Sequence, residues 1–218
     1  MLYKRNPNSA GMFDAAVDAT LVCRLNDLEN VEETINANKG EVAAIIVEPI
    51  AHNLGCVMLS DKFLKGLRKL CDENGIVLIF DEVITGFRVG LGGYQKICGV
   101  TPDLTTMGKA LGNGYPIAFI MGKEEIMNTF STNPGGDVSF QGTTNGHPAC
   151  AAAAIATIDF LEKEPVFEYI FELGDYYRKN MQAIFDKYEE EVSVIGFGSI
   201  SVPIWAKGPF NNHEDILK

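Results

Sequence analysis

The apolar run Ile76 to Phe80, entered through Gly75 and closed by the carboxyls of Asp81 and Glu82, constrains this chain more than any other stretch. Five apolar residues in a row, bounded by a glycine and an acidic pair, fit a strand buried on both faces, as in the middle of a parallel sheet. Lys109 follows twenty-eight residues after Asp81, between Gly108 and the turn Gly112-Asn113-Gly114. Carboxyls at the end of a buried strand and a lysine in a glycine-rich turn describe a site at the carboxyl edge of such a sheet. Neither residue carries that inference alone. A carboxyl after a strand is commonly a helix cap, and a loop lysine is commonly a solvated surface group.

The flanking sequence supplies the rest of a sheet. Val42 to Val47 is a second continuous apolar run, ended by Glu48-Pro49, and it too predicts a strand buried on both faces. Between the two runs Ser60-Asp61 can cap a helix whose Phe63, Leu64, Leu67, Leu70 and Cys71 share one face, with Gly75 to end it. Strand, helix and strand at this spacing make a βαβ unit. Leu104 to Thr106 and Pro116 to Met121 predict strands on either side of Lys109. Upstream, residues 1–25 predict loop with an extended piece around Thr20 to Leu25. Asp27 with Leu28, Val31 and Ile35 predicts a weakly apolar surface helix. Ser131 to Gly142 is a loop long enough to suggest function. His147-Pro148 opens an alanine-rich helix that Pro165 breaks, and Val166 to Tyr188 predicts a long amphipathic helix. Two short strands follow in VSVIGFGSISVPIW. The expected fold class is α/β, a mostly parallel sheet flanked by helices, with a change of domain near Pro165.

Charge and composition narrow the function classes. Aspartate and glutamate outnumber lysine and arginine by 29 to 18, a net charge of −11, which argues against nucleic acid or an anionic membrane as partner. Five cysteines without a CxxC pair indicate a reducing compartment. The three histidines are scattered, so no metal site is expected. No secretory-type apolar core opens the sequence and no run approaches the ~18 apolar residues of a membrane span; a cytoplasmic location is expected. Gly108-Lys109 is not a nucleotide-binding P-loop, because Asp103 replaces its first glycine and Ala110 its serine or threonine. Gly112-Asn113-Gly114 lacks the third glycine of a dinucleotide fingerprint, since Ile117 stands there.

Four segments, in order, carry a specific likeness: VEPI (Val47 to Ile50), IFDEVITGFR (Ile79 to Arg88), GVTPDLTTMGKALGNGYPI (Gly99 to Ile117) and GTTNGHPA (Gly142 to Ala149). Together they resemble class III aminotransferases, pyridoxal-phosphate enzymes of fold type I, and most of all the glutamate-1-semialdehyde 2,1-aminomutase branch. The resemblance implies transamination of an amino acid or an amino-aldehyde or keto substrate, with a small-molecule amino donor and acceptor. It implies a longer protein, homodimeric in full-length form. Residues 1–164 would be the C-terminal part of its large cofactor domain, and 165–218 the start of its small domain.

The resemblance also assigns roles. Lys109 is the expected Schiff-base lysine and proton carrier, Asp81 the partner of the cofactor's ring nitrogen, and Val83 a contact to its ring. Thr143, with Thr144 as fallback, is expected to bind the phosphate across the dimer interface; His147 stands in that motif where asparagine is usual. Glu48 supports the floor of the site. Asn53 is a substrate clue that matches the aminomutase branch, beside His52, where a small residue is common. The family's phosphate loop and ring-stacking aromatic have no counterpart in residues 1–40. Two alternatives accompany this assignment: a truncated, non-catalytic chain that at most binds the cofactor or dimerises, and a decarboxylase or racemase using the same lysine.

Overall fold

The structure, a computed structural model, describes residues 10–188 and 191–216. A short helix, α1 (Asp14–Asp18), lies where the sequence predicts only loop, and Thr20 to Leu25 forms no strand. Asp27 caps α2 (Leu28–Ala37) by accepting from the Asn30 N–H at 3.0 Å. α2 lies on the surface, as its sparse apolar positions suggest, with Glu29, Glu32, Glu33 and Asn36 exposed. Val31 and Ile35 join the core, and Asn30 and Thr34 are buried beside them. The Thr34 hydroxyl is satisfied locally, donating to the Asn30 carbonyl at 2.7 Å.

β1 (Ala44–Val47) leads through a small antiparallel hairpin, β2 (Ile50–Ala51) and β3 (Val57–Met58), into α3 (Asp61–Asn74). Ser60 caps α3 through the Phe63 N–H at 3.2 Å, and Gly75 ends it at φ 65°. The helix buries Phe63, Leu64, Leu67 and Cys71 against the sheet side of the core. β4 (Val77–Glu82) alternates partly and fully buried residues. α4 (Gly93–Cys98), β5 (Leu104–Met107) and β6 (Phe119–Gly122) follow. The sheet order is β1-β4-β5-β6, with the first three strands parallel and β6 antiparallel to β5. The βαβ unit and the α/β class expected from the sequence are therefore present. Because β4 and β5 are parallel, with Asp81 paired to Thr106, the carboxyls ending β4 and the turn holding Lys109 leave the sheet at one edge.

The sequence predicts β1 buried on both faces, yet Ile46 is 62% exposed. β1 is an edge strand, and the described residues leave that side chain's face open. All four residues of β6, the other edge, are exposed as well.

Asp103, just before β5, knits three elements together. Its Oδ2 accepts from the Leu78 N–H at 2.7 Å and from Arg68 of α3 at 2.9 Å, and its Oδ1 meets Lys123 Nζ at 2.7 Å. Burial pushes the carboxyl's pKa up, but Lys123, the Leu78 N–H and Arg68 outweigh burial and hold it below 3.8. A depressed carboxyl stabilises the fold above its unfolded value, and that contribution is lost as pH falls through the folded value. Asp103→Asn is expected to lower stability at neutral pH by about 3 kcal/mol, as for a broken buried ion pair. It should also flatten the loss of stability below pH 3.8. Urea midpoints at neutral and acidic pH check both; parallel curves for wild type and variant would refute the assignment.

Three helices and a hairpin follow the sheet in the chain. α5 (Glu124–Met127) follows β6, and α6 (Pro148–Lys163) starts with proline in its first turn and packs on the turn that holds Lys109. Pro165 sits at the N-cap of α7 (Val166–Phe185), which packs on an antiparallel hairpin, β7 (Ser193–Phe197) and β8 (Ile200–Ile204). Arg178 of α7 fixes the hairpin turn, donating to the carbonyls of Gly198 at 2.6 Å and Ile200 at 3.1 Å and to Ser201 Oγ at 3.0 Å. Phe197 meets Tyr94 and Phe171 edge-on, with ring centroids 5.8 and 5.5 Å away. Ile200 reaches the central core.

Candidate active site

Lys109 follows β5 after one glycine and opens a short 3-10 turn, Lys109–Gly112. Its φ is 47°, in the left-handed region that non-glycine residues rarely enter. That conformation costs roughly 1–2 kcal/mol and persists where the surroundings over-determine it, often at functional sites. Here Leu111 and Gly112 are buried and anchor the turn. A Cβ on Gly112 would lie 2.9 Å from Ile117 Cγ2, so Gly112 admits the chain that enters β6, whereas one on Gly108 would meet Ala118 Cβ at an ordinary contact distance, 3.4 Å.

Lys109 lines a cavity of about 280 Å³ together with His52, Ile84 and Arg88. The hairpin turn Ser199, Ile200 and Ser201 lines the same cavity. Asp81 stands at the neighbouring strand end. Its Oδ1 accepts from the Val83 N–H at 3.1 Å and from the Thr106 hydroxyl at 3.3 Å. Val83 is thereby held, half-buried, in the turn after β4. Both of these bonds use Oδ1, and Oδ2 takes part in neither.

Glu48, just beyond β1, joins this neighbourhood. Burial raises its pKa, and the Asp81 carboxyl raises it further; the His52 main-chain N–H, the His52 ring and Lys109 act the other way. Glu48 therefore lies within electrostatic reach of both Asp81 and Lys109. The fold thus gathers Glu48, Asp81, Val83 and Lys109 around one sheet edge. It does not bring Asn53 into the cavity. Asn53 is exposed in the 3-10 turn His52–Leu54, and its neighbour His52 lines the wall instead. Thr143 and Thr144 lie in the exposed turn 143–146 and are not among the residues lining the cavity.

Several cavity residues escaped the sequence. Arg88 sits in the quoted IFDEVITGFR segment, where only its place in the motif was visible. Ser199 and Ser201 come ninety and more residues after Lys109, and only the hairpin's docking brings them near. Their one local signal is Gly198, a turn glycine at φ 56°.

Residues 4–207 match the family model Aminotransferase class-III, and the chain belongs to that family. It is 42% identical over 209 residues to glutamate-1-semialdehyde 2,1-aminomutase 2 of Lachnoclostridium phytofermentans, a match covering 95% of this chain and 49% of that protein. Its fold is similar to that of an omega-transaminase from Sphaerobacter thermophilus, with TM-score 0.87 and 32% identity over 96% of this chain and 48% of that one. It is also similar to a transaminase solved with PLP bound, with TM-score 0.85 and 28% identity over 94% of this chain and 49% of the other. The chain spans about half the length of the curated relatives it matches.

Proposed function

We propose that this chain carries the lysine-bearing part of a pyridoxal-phosphate site. We further propose that the whole protein moves an amino group on an amino acid or amino-aldehyde substrate, as an aminotransferase or a glutamate-1-semialdehyde aminomutase does. The observation that carries this reading is the placement of Lys109, in a left-handed turn on a cavity wall, beside Asp81 at the end of the adjacent parallel strand. The residues present fit two ends of the cofactor. Lys109 would hold the aldehyde carbon, and Asp81 Oδ2 would hold the ring nitrogen, with Val83 against the ring. Thr143 would meet the phosphate across a homodimer interface.

When bound, pyridoxal phosphate supplies an electron sink for charge developing at the substrate carbon. The chain's own residues do the rest. Asp81 keeps a proton on the ring nitrogen by accepting its hydrogen bond. Lys109 Nζ takes a proton from the substrate carbon and returns it, as a positioned base and then acid. Glu48, whose pKa burial and the Asp81 carboxyl raise, underlies the pair. In this reading residues 1–164 belong to the large cofactor domain, and α7 with the β7–β8 hairpin begins the small one.

The test is an absorbance spectrum with added pyridoxal phosphate, then borohydride reduction and peptide mass mapping. Visible absorbance with the reduced adduct on Lys109 is the expected result. Label scattered over surface lysines would overturn the assignment. The open faces of β1 and β6 favour a second reading, a chain that binds the cofactor without turnover. Product analysis with a panel of amino donors separates the two.

A further inference from the structure

We propose that His52 donates a hydrogen bond to an anionic group of the substrate in the Lys109 cavity, and that Cys56 holds it in the donating tautomer. The inference rests on the reading of this cavity as the substrate side of the site. It starts from a closed turn. The His52 carbonyl accepts from the Gly55 N–H at 3.1 Å and from the Cys56 N–H at 3.2 Å. That turn folds the Cys56 side chain back onto the imidazole, with Sγ 3.1 Å from Nδ1. The His52 turn lies beside the Glu48 carboxyl, whose pKa the His52 main-chain N–H and ring lower.

The tautomer follows from the chemistry of the pair. Cys56 is buried, and burial, with the Glu48 carboxyl adding to it, pushes its thiol up to about 11. The sulfur keeps its hydrogen at neutral pH. An imidazole nitrogen is a better acceptor than a thiol sulfur, so S–H donates to Nδ1 and the ring hydrogen resides on Nε2. The opposite arrangement would leave a weak N–H to sulfur contact and put a lone pair toward the cavity.

The cavity's other polar groups give the donor a purpose. Beside the Lys109 amine, Arg88 brings a guanidinium, and Ser199 and Ser201 carry hydroxyls. A lining with one guanidinium, two hydroxyls and one imidazole N–H suits a carboxylate, which only accepts hydrogen bonds. Arg178 fixes the hairpin turn that carries the two serines, and His52 lines the same cavity.

The test needs no cofactor. The chain is labelled with ¹⁵N-histidine, and the His52 tautomer is read from its ring-nitrogen couplings at mildly alkaline pH. The expected result is hydrogen on Nε2 in the wild type and a mixture in Cys56→Ala. Glutarate is then titrated as a carboxylate probe. It should perturb Nε2 saturably, binding about tenfold weaker in His52→Ala, as expected for a lost charge-assisted hydrogen bond. Binding should stay within about twofold of wild type in His52→Gln, whose amide N–H can replace Nε2–H. Hydrogen on Nδ1, no glutarate binding, unchanged binding in His52→Ala, or equal weakening in both variants would each overturn the proposal. Borohydride mapping on the same preparation separates the two readings. Label on Lys109 without a His52 effect removes only this inference, whereas glutarate binding without label removes the cofactor reading and leaves an anion subsite.

Discussion

If Lys109 has the proposed role, replacing it by alanine is expected to abolish borohydride-stable pyridoxyl label on the chain and to lower the proposed amino transfer by the whole protein at least about 10³-fold, since nucleophile and proton carrier would both be lost. Lys109→Arg should fail equally. Arginine keeps the positive charge but stays protonated, so it neither attacks an aldehyde nor accepts a proton. The matched loss separates a chemical role from a merely electrostatic one. Stability makes the comparison sharper. Lys109 is exposed at φ 47°, so alanine inherits the same backbone conformation and should leave the unfolding midpoint nearly unchanged. Glycine at this position relieves the left-handed strain, and Lys109→Gly is expected to stabilise the fold by about 1 kcal/mol while losing the label. A gain in stability with a loss of cofactor attachment is the signature of a side chain held for function. Retention of label in Lys109→Ala would assign the chemistry to another lysine.

Asp81 and Lys109 were legible because each sits in a local pattern: a strand end defined by an apolar run, and a turn defined by glycines. α3, α6 and α7 were legible for the same reason, since caps, prolines and apolar spacing are properties of a few consecutive residues. β1 shows where that logic stops. Its apolar run states what a strand needs, not what covers it, and Ile46 lies open on an edge strand. Gly112 shows another limit. The turn glycine was visible, but its reason, the approach of Ile117, depends on where the chain goes next. His52, Ser199 and Ser201 line one cavity only because α7 docks a hairpin through Arg178. No spacing within either segment encodes that meeting. Helix α1, five residues long, is too short to show a period.

Glu82→Ala is expected to cost about 4 kcal/mol or more, because several buried donors lose their acceptor at once and each unsatisfied group costs about 1–3 kcal/mol. Glu82 ends β4 at 0% exposure, one residue beyond Asp81 on the opposite pleat. Its carboxyl accepts from the Thr85 hydroxyl at 2.9 Å, the Tyr94 N–H at 2.5 Å, and the Gln95 N–H and side-chain amide, each at 3.2 Å. One side chain therefore closes the whole excursion from β4 to α4. Gly93 is the complement of this arrangement: at φ 64°, an added Cβ would lie 2.5 Å from the Glu82 carboxyl. Glu82→Gln keeps the shape but turns an N–H toward groups that themselves donate, so it should cost about half as much and remain folded for measurement. Urea midpoints of the two variants rank the effect. Against a typical total stability of about 5–15 kcal/mol, the alanine chain would stand near the edge of folding. The loss should also reach the site. The Glu82 tether sets where β4 ends, and among the described residues the Asp81 carboxyl is held otherwise by the Val83 N–H and the Thr106 hydroxyl. Glu82→Gln is therefore expected to lower the yield of label on Lys109 under conditions where the variant is still folded. Unchanged midpoints in both variants would show that the buried carboxyl is not what holds the turn behind Asp81.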